Sequence, residues 1–233
     1  MSMNLIKYCF IGLLFFLTSN AFAASWYQVE VVVFDRLYPD LDGEQWRHEE
    51  YKQRDNMVEL RTGDEVSASD GQVPYMVLPS SRNRLSGVYN ILKRSGEYRP
   101  LIHVSWQQPP TERNRARFVH IQKLEGEQVI PVTGATDDNK EPEFIESFIQ
   151  PDRIIDGAIR VRSGYYLHVD VDLSYFTQLP PENKIVRSSE ELNQSNYEKS
   201  VIHLKETRKV KLNEIHYFDN PLFGVIIQIS RLQ

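Results

Sequence analysis

The sequence predicts an α+β fold: a largely antiparallel β-sheet with one helix at about residues 82–95 and several polar loops. Many short runs rich in β-branched and aromatic residues are separated by polar turns, which is typical of antiparallel strands. Residues 82–95 combine apolar side chains at helical spacing with signals for a helix start and stop. Because this helix lies between two predicted strands, we expect it to cover one face of the sheet.

The first predicted strand is WYQVEVVVF, residues 26–34, and its apolar character favours a central position in the sheet. A long polar connection leads from it to the helix, for which Ser80 or Ser81 is the expected cap and Gly96 and Pro100 are the stop signals. The other predicted strands cover residues 101–108, 115–123, 128–132, 158–162, 165–175, 201–212, 215–218 and 223–230.

Residues 1–23 have the three parts of a secretory signal. Lys7 supplies the positive charge, residues 8–17 the apolar block, and Ala21-Phe22-Ala23 the cleavage site. The block is far shorter than the ~20 residues of a membrane-spanning helix, so we expect cleavage after Ala23 and no membrane span in the mature chain. Cys9, the only cysteine, lies in the removed segment; an exported chain without disulfides fits the periplasm of a Gram-negative cell.

We expect the mature chain, residues 24–233, to form a single domain, with residues 133–150 as the place where two subdomains would divide. The formal net charge of the whole chain is −5, which argues against nucleic acid as a partner. The sequence contains neither an HExxH metal motif nor a GxSxG nucleophile motif. We therefore expect no metal, no cofactor and no enzymatic activity.

The segment AIRVRSGYYLHVDVDL predicts a hairpin with one apolar and one polar face, because apolar and polar residues alternate along both strands. A three-residue loop, Arg162-Ser163-Gly164, keeps the two faces separate if Gly164 adopts the left-handed conformation of a bulge. In this register Arg160 lies opposite Tyr166.

The polar face of this hairpin is the candidate ligand-binding surface. Its ligand-binding residues are predicted to be Arg160, Arg162, Tyr166, His168 and Asp170. Arginines grip carboxylates with paired hydrogen bonds, and aromatic rings pack on apolar faces such as those of sugars. Alternatively, His168, Asp170 and Asp172 would form a metal site. That site would need a further ligand from His103, His120 or His203.

Two basic stretches have two possible interpretations, a charged edge that keeps the protein soluble or a patch that binds anions. Arg113, Arg115 and Arg117 share a face if their segment is extended. Arg208, Lys209 and Lys211 lie near the end of a predicted strand. Charges keep an exposed edge strand soluble, whereas clustered arginines also bind carboxylates.

The stretch EIHYFDNPLFGVIIQI, residues 214–229, carries a predicted structural motif of His216, Tyr217, Asp219, Pro221 and Gly224. Asp219-Asn220-Pro221 predicts a turn in which the aspartate bonds its own downstream backbone. Gly224 allows the chain to bend or to lie close to a neighbour. The strands on either side of Asn213-Glu214 are expected to be neighbours in one sheet.

Four blocks of the sequence carry a resemblance to a known family: WYQVEVVVF, LIHVSWQQP, DGAIRVRSGYYLHVDVDLSY and ETRKVKLNEIHYFDNPLFGVIIQI. They resemble the CsiV-type peptidoglycan-binding proteins, and the His-Tyr-x-Asp-x-Pro-x-Phe-Gly order of the last block is the most specific feature. The resemblance implies a periplasmic, non-enzymatic wall factor. Such a factor binds peptidoglycan and acts with the outer-membrane lipoprotein that activates a class A penicillin-binding protein. The resemblance assigns no binding residue.

Two functions follow as hypotheses. The first is a peptidoglycan-binding accessory factor that supports cell-wall synthesis and cell shape. The second is a periplasmic protein–protein scaffold without direct peptidoglycan contact, because tyrosines and tryptophans suit a protein interface as well as a sugar. A wall hydrolase is disfavoured, since the candidate acids lie in polar surroundings that do not raise a carboxyl pKa.

Overall fold

The computed structural model describes residues 25–47, 49–63, 72–125, 152–185 and 199–232. Its strands are β1 (Tyr27–Arg36), β2 (Trp46–Arg47), β3 (Met76–Val77), β4 (Tyr98–Gln108), β5 (Val119–Leu124), β6 (Arg153–Ser163), β7 (Leu167–Thr177), β8 (Lys184–Ile185), β9 (Ser200–Val210), β10 (Ile215–Asp219) and β11 (Phe223–Arg231). The α-helix of the described residues, α1, spans Ser86–Arg94, and short 3-10 helices span Ser80–Arg82 and Pro181–Asn183. The predicted strand at 128–132 and the subdomain division at 133–150 lie outside the described residues.

The strands form two antiparallel sheets and one short parallel pair, which confirms the predicted fold class. Sheet I has the order β10-β11-β1-β4-β3, sheet II has the order β5-β6-β7-β9, and β2 pairs with β8. Strand β1 is the middle strand of sheet I and is buried along most of its length, as its apolar sequence predicts. Within the described ranges, no helix is long and apolar enough to cross a membrane.

The main hydrophobic core lies between the two sheets. Val31, Val33 and Trp106 of sheet I belong to the same buried cluster as Ile159 and Leu173 of sheet II. Each such side chain stabilises the fold by roughly 1.5–3 kcal/mol through its burial. The face of sheet II that points away from this core is therefore the one that is left for polar residues.

Helix α1 covers the other face of sheet I, as the strand–helix–strand order predicts. Leu85, at its N-terminal boundary, and Leu92 form a second buried cluster with Val32 and Phe34 of β1. Alternate residues of β1 thus face the helix on one side and sheet II on the other.

The predicted serine cap of the helix is wrong. Ser80 and Ser81 lie in the 3-10 turn, and the helix begins only at residue 86. Instead, the buried carboxylate of Glu30 on β1 accepts hydrogen bonds from the backbone N–H groups of Arg84 and Leu85 at 2.7 and 2.9 Å. A glutamate from a distant strand therefore anchors the two residues that lead into the helix, which a local pattern could not reveal.

The register of the β6–β7 hairpin differs from the prediction, although the assignment of its faces is confirmed. Arg160 lies opposite Asp170 rather than Tyr166, and Arg162 lies opposite His168. The loop between the strands consists of residues 164–166, and Gly164 is not among the residues with positive φ. Because the register shift is an even number of residues, each side chain stays on its predicted face.

Strands β9 and β10 are not paired, contrary to the prediction. Strand β9 is an edge of sheet II, and β10 is an edge of sheet I. Residues 211–214 carry the chain from one sheet to the other, with Asn213 in a left-handed conformation at φ 62°. The two edges meet where Nη1 of Arg208 donates a hydrogen bond to the carbonyl oxygen of Tyr217 at 2.6 Å.

Candidate functional site

The outer face of sheet II carries most of the polar residues that the sequence singled out. Cross-strand neighbours of β6, β7 and β9 form rows across this face. The rows are Arg162–His168–Lys209, Arg160–Asp170–Thr207 and Ala158–Asp172–Lys205.

Residues 49–59 cross the outer face and cover one half of it. Arg54 forms an ion pair with Asp172, and Glu59 forms one with His120. In this covered half, Asp172 and His120 therefore have partners on the segment, whereas the half nearer the hairpin loop is open.

A buried cluster around His120 lies beneath this segment. Nε2 of His120 lies 2.8 Å from Oδ1 of Asp156, and Nδ1 lies 2.6 Å from Oε1 of Glu59. The hydrogen bond with Asp156 raises the pKa of His120, burial opposes this rise, and Glu59 adds to it. Burial favours a higher pKa for Asp156, but the hydrogen bond with His120 and the nearby Tyr51 hydroxyl outweigh it and lower that pKa. The cluster is a hydrogen-bonded polar contact between the segment and the sheet, which the sequence analysis had not predicted.

The residues of the alternative metal site do not converge. Asp172 pairs with Arg54, and Asp170 is bonded to arginines. His103 lies on sheet I, where its Nε2 contacts Glu30, and His203 lies beside Ser174 on β7. In the part of the chain that the structure describes, no group of three or more His, Cys, Asp or Glu side chains is arranged to hold a metal ion.

Asp170 organises the open half of the face. Its Oδ2 accepts hydrogen bonds from Nε of Arg160 at 2.7 Å and Nε of Arg162 at 2.9 Å, and its Oδ1 accepts bonds from Nη2 of Arg162 and Oγ1 of Thr207 at 3.1 and 2.7 Å. Burial favours a higher pKa for Asp170, but the bonds from Arg162, Thr207 and Arg160 outweigh it and lower the pKa to about 2. One ionised carboxylate thus fixes two guanidinium groups side by side.

An open groove of about 710 Å³ lies between the hairpin loop and the loop after β4. It is lined by Glu112, Arg113, Asn114, Arg160, Arg162, Ser163, Gly164, Tyr165, Tyr166 and His168. The two walls are tied together where the backbone N–H of Ser163 donates a hydrogen bond to the carbonyl oxygen of Thr111 at 2.8 Å. Tyr165 is 92% exposed and Tyr166 is 49% exposed, so both rings are available to a ligand.

The groove brings together four of the five predicted ligand-binding residues, and the fifth, Asp170, supports two of them from behind. These four are Arg160, Arg162, Tyr166 and His168. The sequence analysis missed Tyr165, because a strict alternation assigned it to the core face, whereas it lies in the hairpin loop. Of the basic stretches, Arg113 lines the groove and Lys209 lies over the Tyr166 ring, 2.9 Å from its centroid.

The predicted strand 115–123 begins later in the structure than in the prediction. Residues 113–115 form a turn, and β5 begins only at Val119. Arg113, Arg115 and Arg117 therefore do not share a strand face. Arg117 instead donates a hydrogen bond to the carbonyl oxygen of Asn56 at 3.4 Å.

The motif of residues 214–229 lies at a distance from this groove, on sheet I. The carboxylate of Asp219 accepts hydrogen bonds from Nη2 of Arg36 and from the hydroxyl of Tyr217. Tyr217 stacks on Phe34, and both rings lie over Gly224, where a Cβ would be 2.6 Å from Phe34 and 2.7 Å from Tyr217. The motif thus joins β1, β10 and β11.

The turn of this motif is formed differently from the prediction. Oδ1 of Asn220, rather than the Asp219 carboxylate, accepts the hydrogen bond from the backbone N–H two residues on, at Leu222. Pro221 lies in the loop between β10 and β11. Nε2 of His216 lies 3.2 Å from the backbone nitrogen of Lys211. None of these residues lines the groove.

Comparison with known proteins identifies the family. A family model described as "Peptidoglycan-binding protein, CsiV" matches residues 8–232, nearly the whole chain. The chain belongs to the CsiV family. Membership of a peptidoglycan-binding family indicates a place in the cell envelope. A search of curated proteins and a search of solved structures each found no significant match.

Proposed function

We propose that this CsiV-family protein is a periplasmic, non-enzymatic peptidoglycan-binding factor that supports cell-wall synthesis and cell shape, with the groove as its binding site. The observation that carries the proposal is the pairing of exposed tyrosines with fixed arginines, Tyr165 and Tyr166 beside Arg160 and Arg162, in one open groove. Peptidoglycan combines sugar rings with short peptides that bear carboxylates. Aromatic rings pack on the apolar surfaces of either part, and guanidinium groups bind the carboxylates.

The low pKa of Asp170 favours a role in binding over a role in catalysis. A general acid of wall hydrolysis needs a raised pKa. The arginines beside the groove instead lower the pKa of Asp170 to about 2, despite its burial. Asp170 therefore stays ionised and acts as a support for Arg160 and Arg162.

The partner in this proposal is the outer-membrane lipoprotein that activates a class A penicillin-binding protein. The support for it is the family resemblance alone. Crosslinking in cells tests it: the lipoprotein should be recovered with the protein, and recovery only of unrelated envelope proteins would remove this part of the proposal.

Co-sedimentation with purified sacculi tests the binding function. At low salt we expect the wild-type protein to sediment with the sacculi, and Tyr165→Ala to be retained at least a few-fold less. Tyr38→Ala is the matched control, because Tyr38 is 83% exposed but does not line the groove. Wild-type protein that stays in the supernatant would contradict the proposal, as would equal losses for the two tyrosine variants.

A further inference from the structure

The open half of sheet II has a local charge opposite to that of the chain. The whole chain has a formal net charge of −5. Around the groove, however, four permanent cations accompany two carboxylates. The cations are Arg113, Arg160, Arg162 and Lys209, and the carboxylates are Glu112 and Asp170. In the row Arg162–His168–Lys209, two cationic side chains lie on either side of a histidine.

The geometry of Asp170 leaves hydrogen-bond donors available for an anion. Asp170 holds Nε of Arg160 and both Nε and Nη2 of Arg162. Among the described residues, both terminal nitrogens of Arg160 and Nη1 of Arg162 have no hydrogen-bond partner. Arg160 is further fixed by Phe118, whose ring centroid is 4.2 Å from its guanidinium carbon. These donors are pre-organised, which reduces the entropy that binding would cost.

We propose that the groove recognises free carboxylates of the peptidoglycan peptide stems through Arg160 and Arg162, with Asp170 as the positioning residue. This inference rests on the proposed function and names the part of the polymer that decides affinity. Arginine suits this task because its planar fork matches both oxygens of a carboxylate.

The arrangement of the two tyrosines indicates that the peptide, rather than the glycan, determines the affinity for peptidoglycan. Tyr165 and Tyr166 are perpendicular, with ring centroids 4.6 Å apart. They therefore do not form a flat platform along which a sugar chain would lie. Nζ of Lys209 also occupies one face of Tyr166. The rings instead form a wall beside the arginines, against which the aliphatic part of a peptide packs.

The experiment measures binding of the purified protein to three probes by isothermal titration at low salt. The first probe is a synthetic stem peptide with all carboxylates free, the second is the same peptide with all carboxylates amidated, and the third is glycan freed of its peptides by an amidase. We expect the amidated peptide to bind at least about tenfold more weakly than the free one, the scale of a lost charge-assisted hydrogen bond. Added salt should weaken binding of the free peptide.

Variants connect this binding to the arginines. Arg162→Ala should lose about tenfold or more in affinity for the free peptide, and Arg162→Lys should recover only part of it. Arg113→Ala, on the exposed loop, should weaken binding by a few-fold, while Arg115→Ala is its matched control and should stay within about twofold. Asp170→Asn tests positioning, because it adds net positive charge but replaces one of the two acceptor oxygens by an NH2 donor, which cannot accept from either guanidinium group. Weaker binding by folded Asp170→Asn supports a geometric role, and tighter binding overturns that role.

The outcomes separate this inference from the proposed function. Equal affinity for free and amidated peptides overturns the inference. Full affinity of both Arg162→Ala and Arg113→Ala for the free peptide also overturns it. Protein that sediments with sacculi but binds only the peptide-free glycan keeps the proposed function and overturns the inference. Protein that binds the free peptide but not sacculi supports the carboxylate site and contradicts the proposed function.

Discussion

Two glycines of the sheets lie where a larger side chain would collide with a neighbour, but the neighbours differ. At Gly157 on β6, a Cβ would be 2.2 Å from the carbonyl oxygen of Asp172 and 2.8 Å from Cα of Leu173, and φ is +149°. At Gly224 a Cβ would meet the rings of Phe34 and Tyr217 instead. Backbone atoms of a paired strand cannot move aside, whereas rings can shift slightly.

We therefore expect Gly157→Ala to lower the free energy of unfolding by about 3 kcal/mol or more, and Gly224→Ala by about 1–2 kcal/mol. Gly87→Ala in α1 is the control, because a Cβ there meets nothing within 4 Å and alanine favours the helix by up to about 1 kcal/mol. Urea unfolding of the three variants gives these values. If Gly157→Ala had the same unfolding midpoint as the wild type, strands β6 and β7 would be able to move apart at little cost, contrary to this expectation.

Local sequence indicates a residue's type and face more readily than its partner. Gly224 was singled out because it stands in an unusual block, whereas Gly157 lies in an ordinary strand, and its constraint comes from a neighbouring strand. Glu30 likewise anchors Arg84 and Leu85, which lie more than 50 positions later and lead into the helix. The decisive contact in each of these two cases depends on tertiary structure, which no short window of sequence contains.

At the scale of the elements, alternation predicts which face a side chain occupies but leaves the register undetermined. The β6–β7 pattern is equally satisfied by every register that differs by an even number of residues. The loop decides between them, and here Gly164-Tyr165-Tyr166 is the loop, rather than Arg162-Ser163-Gly164. For this reason the candidate site was largely predicted, whereas the pairing of Arg160 with Asp170 was not.

Residues 49–59 are held against sheet II in part by a titratable contact. Their contact with sheet II includes His120, which faces Glu59 on the segment and Asp156 on β6. The folded protein raises the pKa of His120, chiefly through Asp156. A raised histidine pKa adds stability that is fully present below the ordinary value of about 6.5 and is lost as the pH rises through the folded value.

We therefore expect residues 49–59 to be cut faster by a protease at pH 9 than at pH 6, relative to an unfolded substrate at each pH. In His120→Asn, which cannot be protonated, this difference between the two pH values should disappear. Limited proteolysis with identification of the cleavage sites provides the measurement. Cleavage of His120→Asn that retains the wild-type pH difference would assign the effect to another group.

At the scale of the whole molecule, stability and binding are assigned to different regions. The core lies between the sheets, and the groove lies on the outer face of sheet II. A polar bond also joins the sheets: the hydroxyl of Tyr175 on β7 donates to Oδ2 of Asp35 on β1 at 2.9 Å, and Arg99 donates to the same oxygen at 2.6 Å. Burial, together with Asp35, raises the pKa of Tyr175 to about 12, so this hydroxyl stays a donor at any physiological pH.

The substitution Tyr175→Phe tests this division of roles. It removes the inter-sheet hydrogen bond but keeps the ring that packs against Phe223, and Asp35 keeps Arg99 as its partner. We expect a loss of about 1.5–3 kcal/mol in the free energy of unfolding, the contribution of a hydrogen bond to a charged group. Sacculus binding at a temperature well below the unfolding transition should be unchanged, whereas Arg162→Ala should weaken binding at that same temperature. Should Tyr175→Phe keep its stability and lose binding, the groove would depend on the junction between the sheets, and the two roles would not be separable.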